Sequence, residues 1–167
     1  MNSEERFLSG HIAEEKFEAI LKWNLIPYSR TGQENFLPPK IREKLRYNLT
    51  ELAMFLKHLP DYVTDREFIQ VKSAPKAKKH TSVTIERASF DVSKKIYNQF
   101  GINVYMVWFM DNKVFHGSWI NKLTPHNPET ERAELSGSKT PMYLIYKDQI
   151  KYFDPAILKP SETAWEI

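Results

Sequence analysis

The stretch LPDYVTDREFIQVKS, residues 59–73, decides the fold. Residues 61–63 begin an extended run, residues 65–67 are all charged, and residues 68–72 return to Phe, Ile and Val. Short runs of β-branched and aromatic residues on either side of a polar turn are typical of a β-hairpin. The stretch therefore predicts two short strands, 61–63 and 68–72, with a turn between them.

Three polar side chains of this hairpin are expected to meet on one patch. Alternate residues of a strand share a face, so Gln70 and Lys72 point the same way. Ile69 and Val71 then point into the core, and the turn brings Asp61 beside the two polar residues. Such a patch suits phosphodiester cleavage, because a hard divalent cation takes oxygen ligands and activates water, while a lysine orients that water or neutralises phosphate charge. The alternative is a surface ion pair between Asp61 and Lys72, which contributes about 0–1 kcal/mol and no chemistry.

The segment at the N-terminal side of the hairpin begins with an amphipathic pattern. Ala13, Phe17 and Leu21 recur at helical spacing and predict a helix over residues 10–24. Glu14 falls on the apolar face of this helix.

The next segment predicts a second helix with a basic outer face. Its apolar residues keep a 3.6-residue period from Ile41 to Leu56, and Pro60 lies beyond its end. On the outer face, Lys40 and Arg42 are candidates for DNA phosphate contacts. The alternative is a helix surface that is charged only for solubility.

A third helix and several strands are expected after the hairpin. The helix is predicted over residues 87–100, with Gly101 as its C-terminal stop, and residues 103–109 are typical of a buried central strand. Glu86, Ser89 and Lys94 are the polar residues of this region that could reach the hairpin. Further strands are predicted at 113–117 and, as a hairpin, at 143–146 and 150–153. This order of elements predicts an α/β fold with a mixed β-sheet flanked by helices.

The composition limits the class of protein. A chain of 167 residues with 41% hydrophobic content is long enough for one core, so we expect a single domain over residues 1–167. The absence of cysteine excludes disulfides, thiolate metal sites and cysteine nucleophiles. No segment approaches about 18 apolar residues and the N-terminus lacks a signal-peptide pattern, so we expect an intracellular protein without a membrane partner.

Two of these motifs resemble the PD-(D/E)XK nuclease superfamily. Pro60-Asp61, followed after a short turn by Gln70-Val71-Lys72, is similar to its signature, with Gln70 where an acid usually stands. Gly10 followed by Glu14 is similar to the G-xxx-E helix that opens archaeal Holliday-junction resolvases and related phage nucleases. The resemblance implies a restriction-endonuclease-like core over about residues 10–110. Residues 111–155 are then expected to add strands and loops for DNA contacts or oligomerisation.

The resemblance also implies a metal-dependent DNA endonuclease. Its implied ligands for Mg²⁺, with Mn²⁺ as a substitute, are Glu14, Asp61, Gln70 and the backbone carbonyl of Val71. Lys72 would assist the attacking water. Glu15 is the alternative to Glu14, but it points about a hundred degrees away from the apolar face.

Gln70 departs from the superfamily pattern. A glutamine offers a neutral carbonyl oxygen where the family has a carboxylate, so metal affinity should fall unless another acid compensates. One alternative is therefore a catalytically inactive DNA-binding or assembly protein that retains the nuclease fold. Another is an interaction domain without affinity for nucleic acid.

The expected partners are DNA and further copies of the chain. Lys76, Lys78, Lys79 and His80 follow the candidate catalytic strand, where a loop could grip the phosphate backbone. The alternative for this basic loop is simple solvation. Homing, phage, restriction-like and junction-resolving endonucleases all stay open as subclasses. Cutting two strands needs two active sites, which predicts a homodimer or higher homo-oligomer.

Overall fold

A computed structural model describes residues 3–74, 80–127 and 140–158. The helices are α1 (Ser3–Trp23), α2 (Gln33–Phe36), α3 (Pro39–Arg46), α4 (Glu51–Lys57) and α5 (Arg87–Phe100). The strands are β1 (Ser29–Arg30), β2 (Tyr62–Val63), β3 (Phe68–Ala74), β4 (Ser82–Glu86), β5 (Val104–Met110), β6 (Phe115–Trp119), β7 (Met142–Tyr146) and β8 (Lys151–Tyr152).

A mixed six-stranded sheet with the order β1-β2-β3-β5-β6-β8 organises the fold. β3 and β5 pair in parallel, from Phe68 opposite Val104 to Ala74 opposite Met110. A parallel pair needs a crossover connection, which β4 and α5 supply. β4 itself pairs with β7 in a separate two-stranded sheet. The predicted α/β fold, with a mixed sheet flanked by helices, is confirmed.

Helices cover both faces of the central strands. On one face, Phe17 of α1 belongs to the same buried cluster as Ile69 of β3. On the other face, Ile96 of α5 is clustered with Met106 of β5. β5 is buried on both sides, which explains its nearly continuous apolar sequence VYMVWFM.

The predicted hairpin and third helix are confirmed. Tyr62 of β2 lies opposite Ile69 of β3 in an antiparallel ladder. α5 has the predicted bounds, and Gly101 ends it in the left-handed region at φ 67°. The first helix is longer than predicted, because it begins at Ser3 and has Glu4 and Glu5 in its first turn. Acidic residues stabilise that end of a helix.

The single helix predicted over residues 41–56 is wrong. The chain instead forms α3 and α4, separated by residues 47–50. Asn48 Oδ1 accepts a hydrogen bond from the Thr50 N–H at 2.9 Å, and the Thr50 side chain accepts from the Ala53 N–H at 3.3 Å as the N-cap of α4. The side chains of Asn48 and Thr50 bind backbone N–H groups and so compete with the hydrogen bonds of a continuous helix. The helical spacing of the apolar residues therefore continues through a point where the helix is interrupted.

The strand pairing predicted for the C-terminal region is also wrong. Residues 143–146 do not form a hairpin with 150–153, because β7 pairs with β4 and β8 pairs with β6. Alternating apolar residues predict that a strand forms but do not identify its partner. β4, with its buried Val83 and Ile85, was not predicted at all.

Among the residues that the structure describes, no helix combines the length and apolar character needed to cross a lipid bilayer.

Candidate active site

The position of Asp61 follows from the short pairing of β2 with β3. β2 pairs with Phe68 and Ile69 of β3. From Gln70 onward, the edge of β3 that faces away from β5 is open to Asp61. The Asp61 carboxylate occupies that place, and its Oδ2 accepts a hydrogen bond from the backbone N–H of Val71 at 2.6 Å. The N–H and C=O of one strand residue point to the same side, so the Val71 carbonyl also faces this edge.

Gln70 connects the core to this carboxylate. Its side-chain Nε2 donates to Asp61 Oδ2 at 2.7 Å. The residue is 3% exposed, and its Oε1 is buried without a hydrogen-bond partner among the described residues. A buried carbonyl oxygen without a partner is costly in a folded protein, which makes this atom a candidate ligand oxygen.

The Asp61 carboxyl group is electrostatically perturbed. Burial raises its pKa to about 7, and the negative charges of Glu14 and Glu34 act in the same direction. The ammonium of Lys72 and the Val71 N–H lower the pKa but do not offset burial. A shift of this kind in a cleft is typical of functional carboxylates.

Asp61, Gln70 and Lys72 line one cleft of about 290 Å³. The sequence-based prediction that these three side chains converge therefore agrees with the structure. Their chemical roles remain predictions. Glu34 of α2, which was not singled out from the sequence, lines the same cleft.

A second polar group in the cleft consists of His58, which follows α4, Glu86 at the end of β4, and Ser89 of α5. His58 Nδ1 lies 3.3 Å from Ser89 Oγ and 3.8 Å from Glu86 Oε2. Burial lowers the pKa of His58, although the charge of Glu86 raises it and those of Lys72 and Lys57 lower it further. Glu86 and Ser89 thus do reach the hairpin region.

Lys94 was the third polar residue expected to be able to reach the hairpin, but its side chain binds elsewhere. Its Nζ donates to the backbone carbonyl of Ile120 at 3.4 Å. His58 was missed because isolated histidine spacing along the chain carries no information about a neighbour on another helix.

Glu14 approaches the site from α1. Its backbone carbonyl accepts a hydrogen bond from the Tyr62 hydroxyl at 3.1 Å. Burial raises the pKa of the half-buried Glu14 carboxyl, and the charge of Glu34 raises it further. Glu15 is exposed, and Glu14 is the α1 acid that perturbs Asp61. Of the two acids considered from the sequence, Glu14 is the better placed.

The oxygen atoms of the cleft are of the types that a hard divalent cation prefers, but their negative charge is low. The Asp61 carboxylate, the unpartnered Gln70 Oε1 and the Val71 carbonyl are the oxygen types that Mg²⁺ and Mn²⁺ prefer. Within residues 3–74, 80–127 and 140–158, no three side chains of Asp, Glu, His or Cys are grouped closely enough to hold a metal. For such an ion, negative charge beyond that of Asp61 would have to come from acids near the cleft.

The structure describes only some of the candidate DNA-binding residues. Lys76, Lys78 and Lys79 lie outside the described residues. His80 is partly buried at the start of the next described segment. On α3, Lys40 is exposed and Arg42 is partly buried. DNA binding by these residues stays a prediction.

Comparison with known proteins identifies no close relative. No family model matches the chain, and the search of curated proteins finds no match. One similar solved structure is that of Archaeoglobus fulgidus Hjc, a Holliday junction resolvase from an archaeal hyperthermophile, with 9% sequence identity and a TM-score of 0.49 over 89% of this chain and 94% of that chain. A likeness this distant carries no argument about function, which rests below on the residues of the cleft.

Proposed function

We propose that the chain is a metal-dependent endonuclease that hydrolyses DNA phosphodiester bonds in the cleft of Asp61, Gln70 and Lys72. One observation carries the proposal. Gln70 uses its amide nitrogen to bind Asp61, and its buried Oε1 has no partner among the residues that the structure describes. A cation ligated by Asp61 would give that oxygen the partner it lacks.

The ligands proposed for Mg²⁺ or Mn²⁺ are Asp61, Gln70 Oε1, the Val71 carbonyl and Glu14. When bound, such an ion polarises the phosphate and lowers the pKa of an attacking water. Gln70 and the Val71 N–H hold the Asp61 carboxylate in place through two hydrogen bonds to Oδ2. Held this way, Asp61 needs little reorganisation to act as a ligand.

Lys72 is proposed to act on the substrate side of the cleft. It follows the Gln70 position by two residues on β3 and lines the same cleft, so its ammonium group can neutralise charge that develops on phosphate oxygens or orient the water. Lys57 lines the cleft as well and adds to its positive charge. A cleft with both carboxylates and ammonium groups suits a substrate that is anionic and reacts with a metal-bound nucleophile.

The DNA contacts and the oligomer belong to the same proposal. The basic residues at 76–80 and the outer face of α3 would bind the phosphate backbone, and two copies would be needed to cut two strands. The second candidate function is a catalytically inactive DNA-binding protein of the same fold. It is favoured by the neutral side chain at Gln70 and by the scattered acids among the described residues.

Plasmid cleavage tests the proposal. Wild type, Asp61→Ala and Lys72→Ala are incubated with plasmid and branched DNA in Mg²⁺ and in Mn²⁺, with Asp65→Ala and Lys151→Ala as exposed matched controls. We expect wild type and both controls to cleave, and the two cleft variants to lose roughly 100-fold or more in rate. Cleavage that survives both cleft substitutions contradicts the site. DNA binding without cleavage by wild type favours the inactive alternative.

A further inference from the structure

The cleft contains a carboxylate beyond those in the proposed ligand set. Glu34 lines it together with Asp61 and Gln70. The chain just before α2 is tied to the chain just before β2, because Thr31 N–H donates to the Asp61 carbonyl at 2.8 Å and Thr31 Oγ1 donates to the Pro60 carbonyl at 2.7 Å. These two bonds fix where α2 starts relative to Asp61.

Gly32 makes room for this carboxylate. A Cβ at Gly32 would lie 2.9 Å from Glu34 Cδ and 3.0 Å from Glu34 Oε2. Any larger residue would therefore push the Glu34 carboxylate away from its present position. Gly32 itself is buried and lines the cleft. The absence of a side chain at Gly32 thus lets the Glu34 carboxylate lie against the backbone.

Glu34 acts electrostatically on the other two acids of the site. Its negative charge raises the pKa of Asp61 and the pKa of Glu14. A nearby negative charge disfavours the ionised form of a partly buried carboxyl group, and a divalent cation bound beside that group reverses the effect.

We propose that Glu34 supplies the carboxylate that Gln70 lacks, so that Asp61, Gln70 Oε1 and Glu34 together bind one divalent cation. The inference rests on the proposed function and names the compensating acid at that same site. The Glu34 carboxylate would join those of Asp61 and Glu14 around the ion. Gln70 is 3% exposed, and its buried Oε1 has no hydrogen-bond partner among the residues that the structure describes, so it is free to act as a ligand beside them.

Binding requires Glu34 to move toward Asp61. No three acidic or histidine side chains of the described residues are grouped closely enough to hold a metal, so a site that includes Glu14 as well as Asp61 and Glu34 would close only when the ion arrives. Glu34 is exposed and lies on a helix of four residues. The Glu34 carboxylate accepts an exposed hydrogen bond from Asn35 Nδ2 at 3.1 Å, which a cation can replace. Asp61 and Gln70 are held by part-buried hydrogen bonds.

Manganese binding tests the inference without any cleavage assay. Free Mn²⁺ is followed by electron paramagnetic resonance during titration of wild type, Glu34→Gln, and Glu43→Gln as an exposed control on α3. We expect Glu34→Gln to bind Mn²⁺ at least about tenfold more weakly, since even residues outside the ligand set cost about 10- to 100-fold when lost. Glu43→Gln should bind as wild type does.

A rescue variant makes the test specific. If Glu34 replaces the missing motif acid, then adding Gln70→Glu to Glu34→Gln should restore the wild-type affinity for Mn²⁺. Thermal unfolding without metal confirms that each variant folds.

Different results would overturn the role of Glu34 and the metal site itself. Wild-type affinity in Glu34→Gln, with binding lost in Asp61→Asn, overturns the role of Glu34 and leaves the nuclease site standing. No Mn²⁺ uptake by wild type, or equal uptake by Asp61→Asn, overturns the metal site and the inference with it.

Discussion

The two sides of the cleft are held in very different ways. On β3, Ile69 is fully buried and Gln70 is 3% exposed, whereas in the helical segment at 33–57 Leu49 is 82% and Leu52 67% exposed. α3 has no buried residue. The strand side therefore fixes its polar groups rigidly against the core, and the helical side presents Glu34 and its neighbours on lightly packed elements. We infer that the cleft combines a rigid wall, formed by Asp61 and β3, with an adaptable wall, formed by the helical segment at 33–57.

The largest expected effect is a difference between the two walls in how much one substitution lowers the free energy of unfolding of the protein. Ile69→Ala removes a fully buried side chain and should lower the free energy of unfolding by about 2–5 kcal/mol. Leu52→Ala, its control on the helical side, should change it by no more than about 0.5 kcal/mol. Urea unfolding measures both. An equal loss in Leu52→Ala would mean that the helical segment is packed in solution, and the contrast would disappear.

The next effect concerns the charge on the rigid wall. Burial raises the pKa of Asp61 from 3.8 to about 7, so the folded state holds a proton that the unfolded state releases. Without metal, the stability that this proton provides is present below the unfolded pKa and is lost as the pH rises through about 7. Each unit of pKa difference corresponds to about 1.4 kcal/mol, and the partial exposure of Asp61 reduces the total.

Asp61→Asn should remove this pH dependence. In the presence of a chelator, the variant should gain stability relative to wild type on going from about pH 4 to about pH 8, by on the order of 1–3 kcal/mol. Asp65→Asn, in the exposed turn, should follow wild type. A constant difference between Asp61→Asn and wild type over this range would show that Asp61 is not perturbed by burial.

A smaller effect tests how α1 is joined to the rigid wall. Tyr62→Phe removes the hydrogen bond to the Glu14 carbonyl and should cost about 0.5–1.5 kcal/mol of unfolding free energy. Tyr152→Phe, at a side chain that is 68% exposed, should cost almost nothing. Thermal unfolding distinguishes them, and equal midpoints for the two variants would mean that this bond does not hold Glu14 near Asp61.

The smallest expected effect is on DNA binding by the helical side. If Lys40 contacts one phosphate, Lys40→Gln should reduce the slope of log affinity against log salt by roughly 0.9. Lys151→Gln, at an exposed lysine on β8, should leave the slope unchanged. Equal slopes for wild type and Lys40→Gln would remove α3 from the DNA-binding surface.

The sequence predicts the rigid wall well because its determinants are local. The alternation of residues 68–72 and the polar turn before them are sufficient to place Gln70 and Lys72 on one face and to bring Asp61 beside them. The end of α5 at Gly101 is equally local. These features depend on neighbours within a few residues, where the physical rules of turns and strands act directly.

The adaptable wall was predicted poorly because its position depends on distant contacts. Glu34 is placed by hydrogen bonds from Thr31 to the chain at Pro60 and Asp61, and no pattern around residue 34 contains that information. The break between α3 and α4 depends on the competing side chains of Asn48 and Thr50. The pairing of β4 with β7 likewise joins segments that are far apart in sequence.

The central claim, that Asp61 and Gln70 share one divalent ion, is tested most directly by nuclear magnetic resonance of the isotope-labelled protein with substoichiometric Mn²⁺. We predict that the Gln70 side-chain amide and the Val71 N–H broaden first, that the Asn24 side-chain amide, which is bonded to Ile20 on α1, stays sharp, and that Asp61→Asn abolishes the effect. Broadening that spares Gln70, or that persists unchanged in Asp61→Asn, would contradict the claim.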